Sequence, residues 1–276
     1  MSTPTPTLPE GAVWVDQGPL SLVETPVNLT GKTDMFTMGA SHMALLHNVI
    51  LRGFNSIYLQ APAIKESDVP DFVGYALAWC RFTKASRLSG RGAHHDDEEE
   101  SLFPKLEEVV GVEGLMRDSL VEHHLFEEGL LAMMTYLSSI PTTLPASLIA
   151  ASFSATRLIE LMDAFKEPFG KHFGQEGEIA HIASFIEKYP DQPALRPVFA
   201  TWGKQSLMKT GVLDGIPFMF CNLDRTVEGG RWTDWPRIPG PVKWGMINIG
   251  GAWNARLWRF GSCSKDGQKR VLEAFK

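Results

Sequence analysis

Residues 94–108 read HHDDEEESLFPKLEE. Two adjacent histidines open the run, and each has a glutamate four residues on, as His94–Glu98 and His95–Glu99. On an α-helix that spacing stacks two side chains on one face. The stretch predicts a helix resuming at about Ala93, after an interruption at Gly90-Arg91-Gly92. Which histidine faces the core is a question of phase. The row His95, Glu99, Leu102, Leu106 alternates by four and three, as a core-facing stripe does. The row His94, Glu98, Ser101, Lys105 is polar. We therefore expect His95 and Glu99 to point inward, and His94, Asp97, Glu98 and Glu100 to lie on a solvated face.

Three further segments carry histidines in apolar surroundings. A first helix, expected from about Asp34 to Tyr58, sets Met43, Leu46, His47, Ile50, Phe54 and Ile57 in one stripe, with His42 on another face. A second helical region begins after Pro70, with Phe72, Tyr75, Ala76, Trp79 and Phe82 on its apolar side, and leads into residues 94–108. In VEHHLFEEGLL (121–131), the series Met116, Leu120, His123, Glu127, Leu130, Met134, Leu137 is apolar apart from His123 and Glu127. The series through His124 and Glu128 meets Arg117 and Thr135, so His123 and Glu127 are the expected inward pair. A fourth helix, from about Pro145 to Tyr189, aligns Leu158, Met162, Phe165, Phe169, His172, Glu176, Ile179 and Ala183. Four helices, each with one apolar stripe, predict an all-α fold: an antiparallel four-helix bundle over residues 35–190.

A carboxylate inside a helix core is costly unless it is paired or bound to a metal. Glu99, Glu127 and Glu176 fall on stripes of Leu, Met and Phe that carry almost no Arg or Lys. With His47, His95, His123 and His172 they point to a shared cation site. Imidazole and carboxylate donors without thiolate suit iron, manganese or zinc. Seven donors exceed the needs of one ion. Two irons are the expected occupants and O2 the expected reactant, with manganese and zinc as the other candidates.

Composition narrows the remaining classes. The net charge of −6 leaves no basic face for phosphates, so a nucleic-acid binder is not expected. Three distant cysteines, Cys80, Cys221 and Cys263, form no C-x-x-C and imply neither a disulfide framework nor a thiolate zinc site. The opening MSTPTPTLPE has no basic start and no apolar run, and no membrane span is expected. These features predict a reduced, cytoplasmic protein without a membrane partner. No nucleotide or flavin motif occurs, so electrons for any redox step come from outside or from the substrate.

HHDDEEESLFP (94–104) resembles the second-helix signature of the hemerythrin-like family, the HHE cation-binding domain. HNVILRG (47–53) is similar to its first-helix motif and KHFGQEGEI (171–179) to its fourth. Hemerythrins hold a di-iron centre with five histidines and two carboxylates. By position the resemblance implies His47, His95, Glu99, His123 and His172 as ligands, with Glu176 as the fourth-helix carboxylate. In hemerythrins that carboxylate is an Asp one position further on. The third helix also departs from the pattern, because Glu127 stands where the family has a second His. A harder, anionic donor there favours oxidised metal, which makes Glu127 the expected catalytic residue and argues for O2 activation over O2 carriage. With IYLQAP (57–62) after its first helix, the chain looks like fungal hemerythrin-like proteins, some of which resemble accessory oxidative enzymes of small-molecule pathways.

The ends of the chain are of another kind. Residues 1–34 read as an irregular arm rich in Pro, Thr and Gly. Residues 191–276 hold six of the eight tryptophans among frequent Gly and Pro, as in GGRWTDWPRIPGPVKWG (229–245). Apart from a short helix at about Leu195 to Leu207, this extension is expected to wrap the bundle. A bare carrier needs no such covering, so an O2-dependent oxidoreductase acting on a small organic substrate is the expected function. The alternative is an iron or O2 carrier, store or sensor.

Overall fold

The computed structural model describes residues 11–84, 94–141, 145–174, 178–189, 193–209 and 211–276. The fold is all-α. Among these residues there is no strand, only an isolated bridge between Cys263 and Lys269. No helix described is long and apolar enough to cross a membrane.

Helix α1 (Met35–Gln60) begins where Asp34 caps it, accepting from the Thr37 backbone N–H at 2.9 Å and from its hydroxyl at 2.6 Å. Helix α2 (Val69–Thr83) leads towards α3, which has three joined segments: His94–Asp97, a π turn at Glu98–Leu102, and Phe103–Val110. Helix α4 (Arg117–Ser139) lies along α5 (Ala155–Phe173), and α6 (Glu178–Lys188) packs back along α1. The antiparallel bundle is thus complete. The fourth region is not the single helix expected over 145–189. A short helix at Ala146–Ser152 ends in extended Phe153, and Ser154 caps a new start by accepting from Arg157 N–H. A second break follows Phe173, where Gly174 turns extended.

The stripe expected on α1 is buried except for the partly buried Leu46, but so is most of the rest of the helix. The additional buried residues include apolar ones, such as Phe36, Leu45, Val49 and Leu51, and polar ones whose partners explain their burial. Asn48 exchanges two hydrogen bonds with the backbone of Val23, at 2.8 and 2.7 Å. One heptad on, Asn55 does the same with Leu20, at 3.0 and 2.7 Å. The N-terminal arm is therefore strapped to α1 with its backbone groups satisfied. On the C-terminal side, Ser56 donates to the Phe260 carbonyl at 2.5 Å, and Arg52 pairs with Asp224 at 3.5 Å, both fully buried. Leu272 N–H donates to the Val13 carbonyl at 3.0 Å, tying arm to extension. The described part of the arm and the extension thus both pack on α1.

The extension supplies α7 (Leu195–Lys209), α8 (Ile216–Asn222) and α9 (Gly240–Asn248). Trp202 of α7 donates its indole N–H to the Asp97 carbonyl at 3.3 Å, and Lys209 pairs with the Asp97 carboxylate at 2.5 Å. These contacts fix the extension to α3. Gly53 marks a close approach of α1 to α2 and α8. A Cβ there would fall 2.3 Å from Trp79 Cδ1 and 2.7 Å from Phe218 Cζ. Gly53→Ala is expected to destabilise the fold by about 1–3 kcal/mol in urea unfolding, the usual cost of overpacking.

Candidate metal centre

Five imidazoles converge inside the bundle. His47 comes from α1, His94 and His95 from α3, His123 from α4 and His172 from the last turn of α5. Four of them are at most 2% exposed, and His94 is 6% exposed. Ring centroids of His95 and His123 are 4.3 Å apart, those of His123 and His172 4.6 Å, and those of His47 and His94 5.4 Å. Phe126 and Phe173 pack against the group, Phe169 backs both of them, and together they exclude water from that side.

The donor atoms fall into two groups, His95 with His123 and His172, and His47 with His94 and Glu98. In each, one donor atom per residue lies within 4.8 Å of the others. Glu98 is completely buried. Its Oε1 is 3.0 Å from His94 Nε2 and its Oε2 is 3.7 Å from His123 Nε2. One carboxylate therefore has an oxygen beside a member of each group.

The residues fit a bound cation on two grounds. His95 is buried with neither ring nitrogen hydrogen-bonded among the described residues. A buried polar group left so is costly, and a metal removes the cost. Burial, helped by the neighbouring imidazoles, also holds the pKa of His94 and His95 well below the ordinary histidine range. Both rings stay neutral, with a lone pair to donate.

Carboxylates behind the imidazoles set their orientation. Glu99 bonds His123 Nδ1 at 2.6 Å, and Glu122 bonds His172 Nδ1 at 3.2 Å. In both rings Nδ1 is engaged from outside, which leaves Nε2 for the interior. The hydrogen bond to His123 lowers the Glu99 pKa against the opposing effect of partial burial. Glu99→Gln and Glu122→Gln are each expected to weaken metal binding by about 10–100-fold in a chelator competition, without abolishing it.

Several expected positions need correction. His94 and Glu98 belong to the buried donor groups, not to a solvated face, and Asp97 is 2% exposed. The reason is the π turn at Glu98–Leu102. Its wider winding keeps His94, Glu98, Leu102 and Leu106 in line at intervals of four, and turns the Glu99 side chain to the rim, 27% exposed. Glu127 is not among the grouped donors. The buried row of α4 runs Ser119, His123, Phe126, Leu130, Met133, Leu137, so Phe126 occupies the inward position one turn after His123. Glu127 is 30% exposed and pairs with Lys84 at 3.2 Å. Burial works against the Lys84 charge, but Asp96 and Glu127 outweigh it and raise its pKa. The anionic donor expected on the metal from α4 is thus half of a rim ion pair, and the structure gives it no catalytic position. Glu176 lies outside the described residues. His124 is exposed and bonds the Leu120 carbonyl of its own helix at 2.7 Å. Glu122 was missed because nothing in its spacing distinguishes it from a surface glutamate.

A cavity of about 610 Å³ adjoins the centre. Its walls come from α1 (Gly39, Met43), Phe82 of α2, α7 (Phe199, Trp202), and the segment from Trp235 to Met246. His94 belongs both to this wall and to the group with His47 and Glu98.

Comparison with known families places this geometry. Residues 38–181 match the model of the hemerythrin HHE cation-binding domain. The chain belongs to this family. The hemerythrin-like match covers α1 to the first part of α6, the segments that bring the five imidazoles and Glu98 together. This hemerythrin-like chain is also similar to the dimeric xanthone biosynthesis cluster protein R11 of Cryptosporiopsis sp. (strain 8999). The two are 30% identical over 267 residues, covering 94% of this chain and 92% of that protein, so the likeness extends well beyond the domain. No solved structure matches the chain.

Proposed function

We propose that this chain is a non-haem di-iron protein that uses O2 to oxidise a small organic molecule held in the cavity beside His94. The observation that carries this reading is the place of His94, in the cavity wall and in a donor group at once. A bundle that only stores iron or carries O2 has no use for an aromatic-walled space of about 610 Å³ next to its metal ligands, whereas that volume is typical of a site for an organic ligand. The name of the relative from Cryptosporiopsis, a protein of a biosynthesis cluster, supports a role in a small-molecule pathway.

Bound iron would supply the electron transfer to O2 that no side chain here can supply. The chain's own residues hold, orient and shield. The five imidazoles and Glu98 are the donors, Glu99 and Glu122 fix two of the rings, and Phe126, Phe169 and Phe173 keep water out from behind. Iron accounts better than zinc for a carboxylate and five imidazoles arranged around two positions. The test is O2 uptake by the iron-loaded, reduced protein. Uptake should be sustained only when an organic substrate or a reductant is added. An absorbance change in air that argon purging reverses, with no sustained uptake, would make the protein a carrier or sensor.

A further inference from the structure

The cavity wall itself bears on which molecules the site takes. Most of the residues around it are apolar, and Trp235 and Phe199 are half-buried there. Among the described lining residues Arg237 is the only lysine, arginine or carboxylate. It has no ion pair or hydrogen bond among the described residues, although acidic residues outnumber basic ones in the chain. Its charge reaches His42, whose pKa burial and the Arg237 charge both lower. His42 rests against Trp232 and Trp235, with ring centroids at 5.8 and 6.2 Å. The cavity lining thus offers one guanidinium together with aromatic side chains, and His94 stands on the same cavity.

We propose that the cavity binds a planar, multi-ring aromatic molecule bearing a carboxylate or comparably acidic group, with the anion at Arg237, the rings against Trp235 and Phe199, and an edge presented to His94. This rests on the reading of the cavity as the substrate site. A guanidinium recognises a carboxylate through paired, charge-assisted hydrogen bonds. Flat aromatic walls favour flat ligands by area and by stacking. The cavity volume of about 610 Å³ accommodates a two- to four-ring molecule.

The experiment uses the iron-loaded chain under argon, so that binding is read without turnover. Anthracene-2-carboxylate and its shape-matched neutral carboxamide are titrated, with anthracene fluorescence anisotropy as the readout. The carboxylate should bind about ten-fold or more tightly than the carboxamide. Arg237→Met should abolish that preference, Arg237→Lys should keep part of it, and Trp235→Ala should weaken both probes alike. Arg237 is exposed, so its variants are expected to fold, and their melting curves and iron content serve as controls. Equal binding of the two probes, a preference untouched by Arg237→Met, or no saturable binding of either would overturn the proposal. The outcomes separate this proposal from the oxidase reading. Arg237-dependent binding with no O2 uptake from any aromatic acid sinks the oxidase reading alone. Sustained O2 uptake driven by neutral aromatics and indifferent to Arg237 sinks this proposal alone.

Discussion

Glu98→Ala is expected to cost the protein at least one of two bound metal ions and to lower its melting temperature by several degrees. Glu98 is the one carboxylate in the two donor groups, it is completely buried, and its two oxygens face different groups. Two divalent ions surrounded only by neutral imidazoles in a dry core would carry uncompensated charge, which is expensive in a low dielectric. Glu98→Gln keeps the shape and removes the charge, so it should lose metal in the same way. Glu127→Ala is the control. Its pairing with Lys84 is on the rim, worth no more than about 1 kcal/mol, so metal content should stay at the parent value. The measurement is elemental analysis after iron-replete expression, with calorimetry on the same samples. Full metal content in Glu98→Ala, or loss in Glu127→Ala, would reverse the assignment of the two glutamates.

His94→Ala is expected to have the next largest effect. His94 is a donor beside Glu98, and it is the donor that also lines the cavity. The variant should lose the ion nearest the cavity and, with it, O2 uptake, while the group of His95, His123 and His172 retains its own ion. His124→Ala should be within about 0.5 kcal/mol of the parent in stability, because His124 is exposed and bonds only its own helix. Iron per chain and O2 uptake of the two variants, measured side by side, check this. Should His124→Ala be the more damaging, the inward face of neither doublet has been read correctly.

The bundle was legible because its stripes are long. Leu158, Met162, Phe165, Phe169 and His172 of α5 are all buried, as their spacing predicts, and α4 buries His123 and exposes His124. Phase failed where the helix is not a regular α-helix. At residues 94–108 the two histidine–glutamate pairs are identical in spacing, and only the flanking leucines separate them. Read with 3.6 residues per turn they favour His95 and Glu99, but a π turn widens the winding and brings His94 and Glu98 in as well. The uninterrupted row of fours from His94 to Leu106 was the available signal. On α4, a heptad reading cannot tell whether the position three or the position four after His123 points inward. Phe126 takes it, because a ring fills the core at no electrostatic cost, and Glu127 finds a lysine at the rim.

The cavity was the least legible feature, since it is made by segments distant in sequence. Gly39 and Met43, Phe199 and Trp202, and the run from Trp235 to Met246 meet only after the extension has folded back onto α1 and α3. The sequence foretold the aromatic composition of that extension but not which rings pack and which line a space. Trp202 packs onto α3 through Asp97, whereas Trp244 and Trp253 remain more than 60% exposed.

Two adjacent donor groups, joined at Glu98, are proposed to hold two metal ions beside the cavity. The most direct test is a crystal structure of the iron-loaded protein with anomalous data collected on both sides of the iron absorption edge. Two anomalous peaks are predicted, one among His95, His123 and His172 and one among His47, His94 and Glu98, with a Glu98 oxygen against each. A single peak, or two peaks that leave out His94 and Glu98, would contradict it.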